Sequence, residues 1–117
     1  VVGKEKAKLM EYDPTKPIHL RYSQEETQVN PELEKELTSI AQNICQVLGT
    51  DFNAIEFAIK DGKPYVIEFL NSSPNTDKNL INDFNFEWLV ESTGDFLIEM
   101  AKQKKSPHKI LKEGKIL

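Results

Sequence analysis

The sequence predicts an α+β fold in which an antiparallel β-sheet carries two main helices packed on one face. Residues 51–75 contain two runs of alternating hydrophobicity joined by Lys-Asp-Gly-Lys, a pattern typical of a β-hairpin. Residues 30–49 and 84–103 instead repeat apolar side chains at helical spacing. A chain of 117 residues is long enough for one domain with its own core.

The N-terminal segment is predicted to add two strands. Val1–Tyr12 alternates charged and apolar residues, and Ile18–Tyr22 is a second short extended stretch. Between them, Pro14 and Pro17 disfavour a helix and restrict the residues before them to extended geometry. We therefore expect these two segments to form a small hairpin.

The first helix has clear boundary signals. Asn30 suits the N-cap, Pro31 suits the first helical position, and Gly49 suits the C-terminal stop. Cys45 lies beside the apolar face and is predicted to be a small packing residue, because no histidine is placed near it to activate a thiolate. The apolar face comprises Leu33, Leu37, Ile40, Ile44, Val47 and Leu48.

A polar loop over residues 72–83 and a second helix from Phe84 to Gln103 are predicted next. Gly94 in the middle of that helix costs about 1 kcal/mol relative to alanine. Ser106 and Pro107 are expected to end any helix. Residues 102–117 form a basic tail with six lysines and one glutamate, which is interpreted as a solvated terminus.

Composition excludes several function classes. The tail has a local charge of +5 and the whole chain −4, which leaves −9 for residues 1–101. An acidic body without a basic stripe repels phosphate backbones, so no nucleic-acid partner is expected. No apolar run is long enough to span a bilayer, so no membrane partner is expected either. The single cysteine fits a reducing compartment, and we expect a cytoplasmic protein.

The predicted hairpin carries three candidate metal ligands. Glu56 lies in the first strand, Glu68 lies in the second, and Asn71 closes the second. Carboxylate and amide oxygens are the hard ligands that Mg²⁺ prefers. Solvent-facing glutamates on a one-sided sheet are the alternative interpretation.

The turn decides whether the two glutamates share a face. A two-residue loop, Asp61-Gly62, places them on opposite faces, whereas a three-residue loop, Lys60–Gly62, places them on the same face. The hydrophobic pattern favours the three-residue loop, because it collects one apolar face that consists of Ile55, Phe57, Ile59, Tyr65, Ile67 and Phe69.

Residues 51–75, DFNAIEFAIKDGKPYVIEFLNSSPN, resemble the metal-binding hairpin of the ATP-grasp superfamily. The order of segments, from Val1–Tyr22 to Phe86-Glu87-Trp88, is similar to that of a glutathione-synthetase-like group of carboxylate–amine ligases. The resemblance covers residues 1–101 and implies the C-terminal subdomain of an ATP-grasp fold. It also implies that an N-terminal portion outside this sequence supplies the rest of the nucleotide site and the pocket for the carboxylate substrate.

The resemblance implies specific roles for four residues. Glu56 and Glu68 match the two acidic ligands of Mg²⁺ (or Mn²⁺), and Asn71 matches the asparagine of the family's Glu-x-Asn. Here two residues separate Glu68 from Asn71, so Asn71 shares their face only if the strand bulges at Phe69–Leu70. Arg21 resembles a basic residue that meets nucleotide phosphates, although a surface arginine explains it equally well.

The function implied by this resemblance is ATP-dependent ligation. ATP would phosphorylate a small carboxylate substrate, and an amine would then displace phosphate from the acyl phosphate. No catalytic side chain is assigned, and the 117-residue piece is expected to be inactive by itself. The alternatives are a non-catalytic α+β binding module and a structural divalent-metal site without ligase activity.

Overall fold

The computed structural model describes residues 1–103, which form an α+β arrangement of one two-stranded antiparallel sheet and three α-helices. Within this range, no helix combines the length and the apolar character that a membrane crossing requires. The elements in chain order are α1 (Pro31–Leu48), β1 (Ala54–Lys60), β2 (Lys63–Asn71), α2 (Lys78–Ile81) and α3 (Asp83–Lys102).

The predicted boundaries of α1 are confirmed. The side-chain oxygen of Asn30 accepts a hydrogen bond of 2.8 Å from the backbone N–H of Glu32. At the other end, Gly49 adopts a left-handed conformation with φ 69°, where glycine avoids the steric cost of a Cβ atom. Cys45 is fully buried, which confirms its role as a packing residue.

The second main helix, α3, begins one residue earlier than predicted. Asn82 caps it, because its side-chain oxygen accepts a hydrogen bond of 3.0 Å from the N–H of Asn85. The stretch predicted as loop, residues 72–83, also contains α2, a single turn capped by Asp77. The predicted basic tail begins with Lys102, the last residue of α3, and its residues 104–117 lie outside the described part of the chain.

The prediction of a continuous strand over Val1–Tyr12 is wrong. Gly3 and Lys4 have positive φ values of 62° and 66°, so the chain reverses directly after its first residues. As a result, Val2 forms bridges with both Lys6 and Phe52. This short segment therefore pairs with the residues that lead into β1.

The expected hairpin of the N-terminal segment is reduced to one antiparallel bridge, between Tyr12 and Tyr22. The stretch from Ile18 to Leu20 is a 3-10 helix, so the predicted second strand is wrong except at its last residue. The bridge nevertheless holds two tyrosine rings together, with centroids 5.2 Å apart and planes tilted by 54°.

The helices pack around the N-terminal segment rather than along the hairpin. Lys6 forms an ion pair of 2.7 Å with Asp95 of α3, and the ring of Phe96 lies against Gly3. The strand β2, by contrast, remains largely exposed, with Leu70 at 70%. The expected coverage of one hairpin face by both helices is therefore wrong for β2. The buried apolar residues in the described range are Val2, Leu37, Ala41, Cys45 and Ile81.

We expect Gly3→Ala to lower the free energy of unfolding by about 2 kcal/mol or more, as measured by urea denaturation. A left-handed backbone costs an ordinary residue about 1–2 kcal/mol, and a Cβ atom here would lie 2.5 Å from Cδ2 of Phe96. Gly62→Ala is the matched control, since Gly62 has φ 74° and open space around it. Equal losses in the two variants would contradict close packing of Phe96 on Gly3.

Candidate functional site

The two strands are joined by a two-residue turn. Asp61 and Gly62 both have positive φ, 51° and 74°, and Lys60 pairs directly with Lys63. Such mirror-image turns match the right-handed twist of paired strands, and Asp-Gly is among their preferred sequences. The predicted three-residue loop, Lys60–Gly62, is therefore wrong.

The glutamates nevertheless share a face, because β2 contains an extra residue at Ile67. Glu56 pairs with Glu68, and the next residue of β1, Phe57, pairs with Val66. This is the geometry of a β-bulge. The expected apolar face is wrong as a consequence, since Tyr65 pairs with Ala58 on the glutamate side.

A second register shift brings Asn71 to the same face. Asn71 pairs with Ala54, two residues before Glu56 on β1, although it lies three residues after Glu68 on β2. The extra residue is in the Phe69–Leu70 stretch, where the sequence required a bulge for Asn71 to join the glutamates. The structure thus brings all three candidate ligands to one face.

Asn53 spans this second bulge, and its role was missed by sequence reasoning. The residue is only 2% exposed. Its side-chain N–H donates to the carbonyl of Phe69 at 2.9 Å, and its side-chain oxygen accepts from the N–H of Asn71 at 3.0 Å. A polar residue directly before a predicted strand was the available signal, because a buried asparagine needs hydrogen-bond partners.

The glutamate pair forms no ion pair within the described range. Among residues 1–103, neither Glu56 nor Glu68 takes part in an ion pair or a side-chain hydrogen bond. Like charges directly opposite each other on neighbouring strands are destabilising. A cation between them removes this repulsion.

The side-chain oxygen atoms of Glu56, Glu68 and Asn71 are ligands of the type that Mg²⁺ prefers. Glu56 and Asn71 are partly buried and Glu68 is exposed, so the face is open to solvent. No cluster of three His, Cys, Asp or Glu residues occurs in residues 1–103. Mg²⁺ typically binds through one or two carboxylates and fills its other positions with water and substrate phosphates, which these residues allow.

Arg21 is held by neutral groups. Its Nε donates to the carbonyl of Lys16 at 3.0 Å, and its Nη1 donates to the hydroxyl of Tyr12 at 3.2 Å. None of the ion pairs in the described residues includes Arg21. It lines an open cleft of about 380 Å³, whose other charged residues are Lys16, Glu11, Asp13 and Glu25.

Tyr22 is the half-buried residue that follows Arg21. Burial raises the pKa of Tyr22 above its usual value, and the charges of Tyr12 and Glu56 raise it further. The negative charge of Glu56 therefore disfavours the phenolate form of Tyr22.

No protein-family model, curated protein or solved structure matches this chain. The resemblance to ATP-grasp ligases stays a prediction, based on residues 51–75 and on the order of the segments.

We expect the stability of the protein to fall as the pH rises above about 10, partly because of Tyr22. The folded state holds the Tyr22 proton more tightly than the unfolded chain does, since its pKa is raised on folding. This contribution is fully present below the unfolded pKa and is lost as the pH rises through the folded one. Urea denaturation at several pH values should show a smaller alkaline loss in Tyr22→Phe.

The position of Glu56 can be tested through the same phenol. Without divalent cations, Glu56→Gln should lower the pKa of Tyr22, because it removes a negative charge that disfavours the phenolate. Ultraviolet absorbance of the phenolate measures this pKa, and Tyr22→Phe identifies its signal. Glu68→Gln is the matched control, because Glu68 is not among the causes of the Tyr22 shift. A Tyr22 pKa that does not change in Glu56→Gln would contradict the placement of Glu56.

Proposed function

We propose that this chain is the metal-binding C-terminal part of an ATP-grasp ligase. The observation that carries the proposal is the direct pairing of Glu56 with Glu68, two carboxylates that form no ion pair among residues 1–103. Asn71 shares their face through the second bulge. Three hard oxygen ligands on one face of a hairpin match what the family resemblance implies.

In the proposed reaction, the γ-phosphoryl group of ATP is transferred to a carboxylate oxygen of the substrate, and ADP leaves. The amine then attacks the acyl carbon and releases phosphate. The ion held by Glu56, Glu68 and Asn71 would neutralise charge on the phosphate oxygens. The rest of the nucleotide site and the carboxylate pocket belong to the N-terminal portion that the resemblance implies.

Arg21 is proposed to bind the nucleotide phosphates. Its two hydrogen bonds, to the Lys16 carbonyl and the Tyr12 hydroxyl, hold the guanidinium in place without neutralising it. Arginine presents several N–H donors in a planar arrangement that matches phosphate oxygens. A guanidinium that forms no ion pair among residues 1–103 keeps its full charge for an anion.

We expect Glu56→Gln and Glu68→Gln each to weaken Mn²⁺ binding by about tenfold or more, equivalent to about 1.4 kcal/mol. Each substitution keeps the side-chain shape but removes one negative charge from the proposed ligand set. Isothermal titration calorimetry of the 117-residue chain with Mn²⁺ measures the dissociation constant of each variant. Glu91→Gln, on the exposed surface of α3, is the matched control and should bind Mn²⁺ like the wild type.

A second titration distinguishes the proposed function from its alternatives. ATP binding to this chain should be weak, dependent on Mg²⁺, and reduced in both glutamine variants. Metal binding without any effect on ATP would instead support a structural divalent-metal site. Unchanged Mn²⁺ and nucleotide affinity in both variants would refute the metal site itself.

Arg21→Ala should weaken binding of Mg²⁺-ATP by about tenfold, because a charge-assisted hydrogen bond to phosphate contributes about 1.5–3 kcal/mol. Its affinity for Mn²⁺ without nucleotide should not change. Lys16→Ala is the matched control, since it removes one positive charge from the same cleft and keeps the carbonyl that holds Arg21. Equal losses in the two variants would indicate a general effect of charge and contradict a specific role for Arg21.

A further inference from the structure

We propose that Asn53 is a positioning residue whose function is to place Asn71 in the metal ligand set. This inference rests on the proposed function, because it assigns Asn71 as a ligand. Asn53 itself lies in the interior, with 2% of its surface exposed, and acts on the site through the backbone of β2.

The strand period makes such a residue necessary. Side chains alternate between the two faces of a strand, so residues three apart on a regular strand point to opposite sides. Asn71 lies three residues after Glu68, yet it shares the face of Glu68 because β2 contains an extra residue between them. The bulge is therefore a condition for Asn71 to be a ligand.

A bulge interrupts the regular ladder and leaves backbone groups without their usual partners. Leaving a buried donor or acceptor unpaired is unfavourable, because the group loses its hydrogen bonds to water and gains none in the protein. Here the side-chain amide of Asn53 replaces the missing peptide group. Its N–H donates to the carbonyl of Phe69, and its oxygen accepts from the N–H of Asn71.

The two hydrogen bonds enclose the extra residue. They bind β2 immediately before and after Leu70, which is itself 70% exposed. An asparagine can donate and accept at once, whereas aspartate can only accept and alanine can do neither. The chemistry of this one side chain thus matches the two backbone groups that the bulge frees.

Asn53 is itself fixed on the other side. Its backbone N–H donates to the carbonyl of Val1 at 3.2 Å, and the neighbouring Phe52 forms a bridge with the buried Val2. The side-chain N–H also lies 3.4 Å from the hydroxyl of Thr50. The amide therefore approaches β2 from a segment that is anchored independently of the hairpin.

Hydrogen exchange tests the bulge without any metal. In the wild type, the backbone amide of Asn71 should exchange slowly, because it donates to a buried side chain. Asn53→Ala should speed this exchange by about tenfold, equivalent to about 1.4 kcal/mol, because the amide loses its acceptor and becomes exposed to solvent. Asn53→Asp, which keeps an acceptor, should have a smaller effect, and the amide of Ala58, which pairs with Tyr65, serves as the internal reference. Unchanged Asn71 exchange in Asn53→Ala would overturn the inference.

A double-mutant cycle tests the action through Asn71. Asn53→Ala should weaken Mn²⁺ binding as much as Asn71→Ala does, and the double variant should bind no more weakly than Asn71→Ala alone. Additive losses would show that Asn53 acts by another route and would overturn the inference. If the wild type does not bind Mn²⁺, the proposed function fails together with the ligand role of Asn71. The exchange measurement still tests whether the two hydrogen bonds of Asn53 hold the bulge.

Deletion of Leu70 provides a second, independent variant. It shortens the spacing so that Asn71 follows Glu68 by two positions and shares its face on a regular strand, without a bulge. In this background, Asn53→Ala should no longer reduce Mn²⁺ affinity, and it should cost less free energy of unfolding than in the wild type. An equal loss of Mn²⁺ affinity with and without Leu70 would overturn the inference.

Discussion

The candidate site depends on one geometric constraint, which is that β2 is longer than the strand with which it pairs. β1 has seven residues and β2 has nine, and the two extra residues are taken up at two separate points. Each one reverses the alternation of side chains beyond it. The first brings Glu68 opposite Glu56, and the second brings Asn71 to the same side. Without either shift, the three oxygen ligands would be divided between two faces.

The electrostatics of the site follow from this constraint. A strand pair that places two carboxylates opposite each other loses some stability as long as nothing offsets their charge. Arg21 does not offset the charge of the glutamates by an ion pair. Its guanidinium donates instead to two neutral oxygens, the carbonyl of Lys16 and the hydroxyl of Tyr12. Among residues 1–103, the two glutamates and Arg21 therefore remain without ion-pair partners.

Features that depend on a few neighbouring residues are predicted correctly from the sequence. The caps of α1, the existence of the hairpin and the burial of Cys45 are of this kind. The errors lie where the outcome depends on distant partners. The position of the extra residues cannot be read from alternation alone, because a bulge at the turn and a bulge at Ile67 both place the two glutamates on one face. The reversal at Gly3 and Lys4 depends on packing against α3, and the role of Asn53 depends on a strand that follows it in the chain.

The exposed outer side of β2 has a further consequence for the behaviour of the protein in solution. A long, apolar edge strand is a template for pairing with another chain and hence for aggregation. Leu70 and Ile67 are among the most exposed apolar residues here, at 70% and 61%. Both belong to the bulged regions, and bulges twist an edge and interrupt its regular row of donors and acceptors. The irregularities that bring the three candidate ligands together therefore also oppose edge-to-edge pairing, so a variant with a straight β2 would be more prone to self-association.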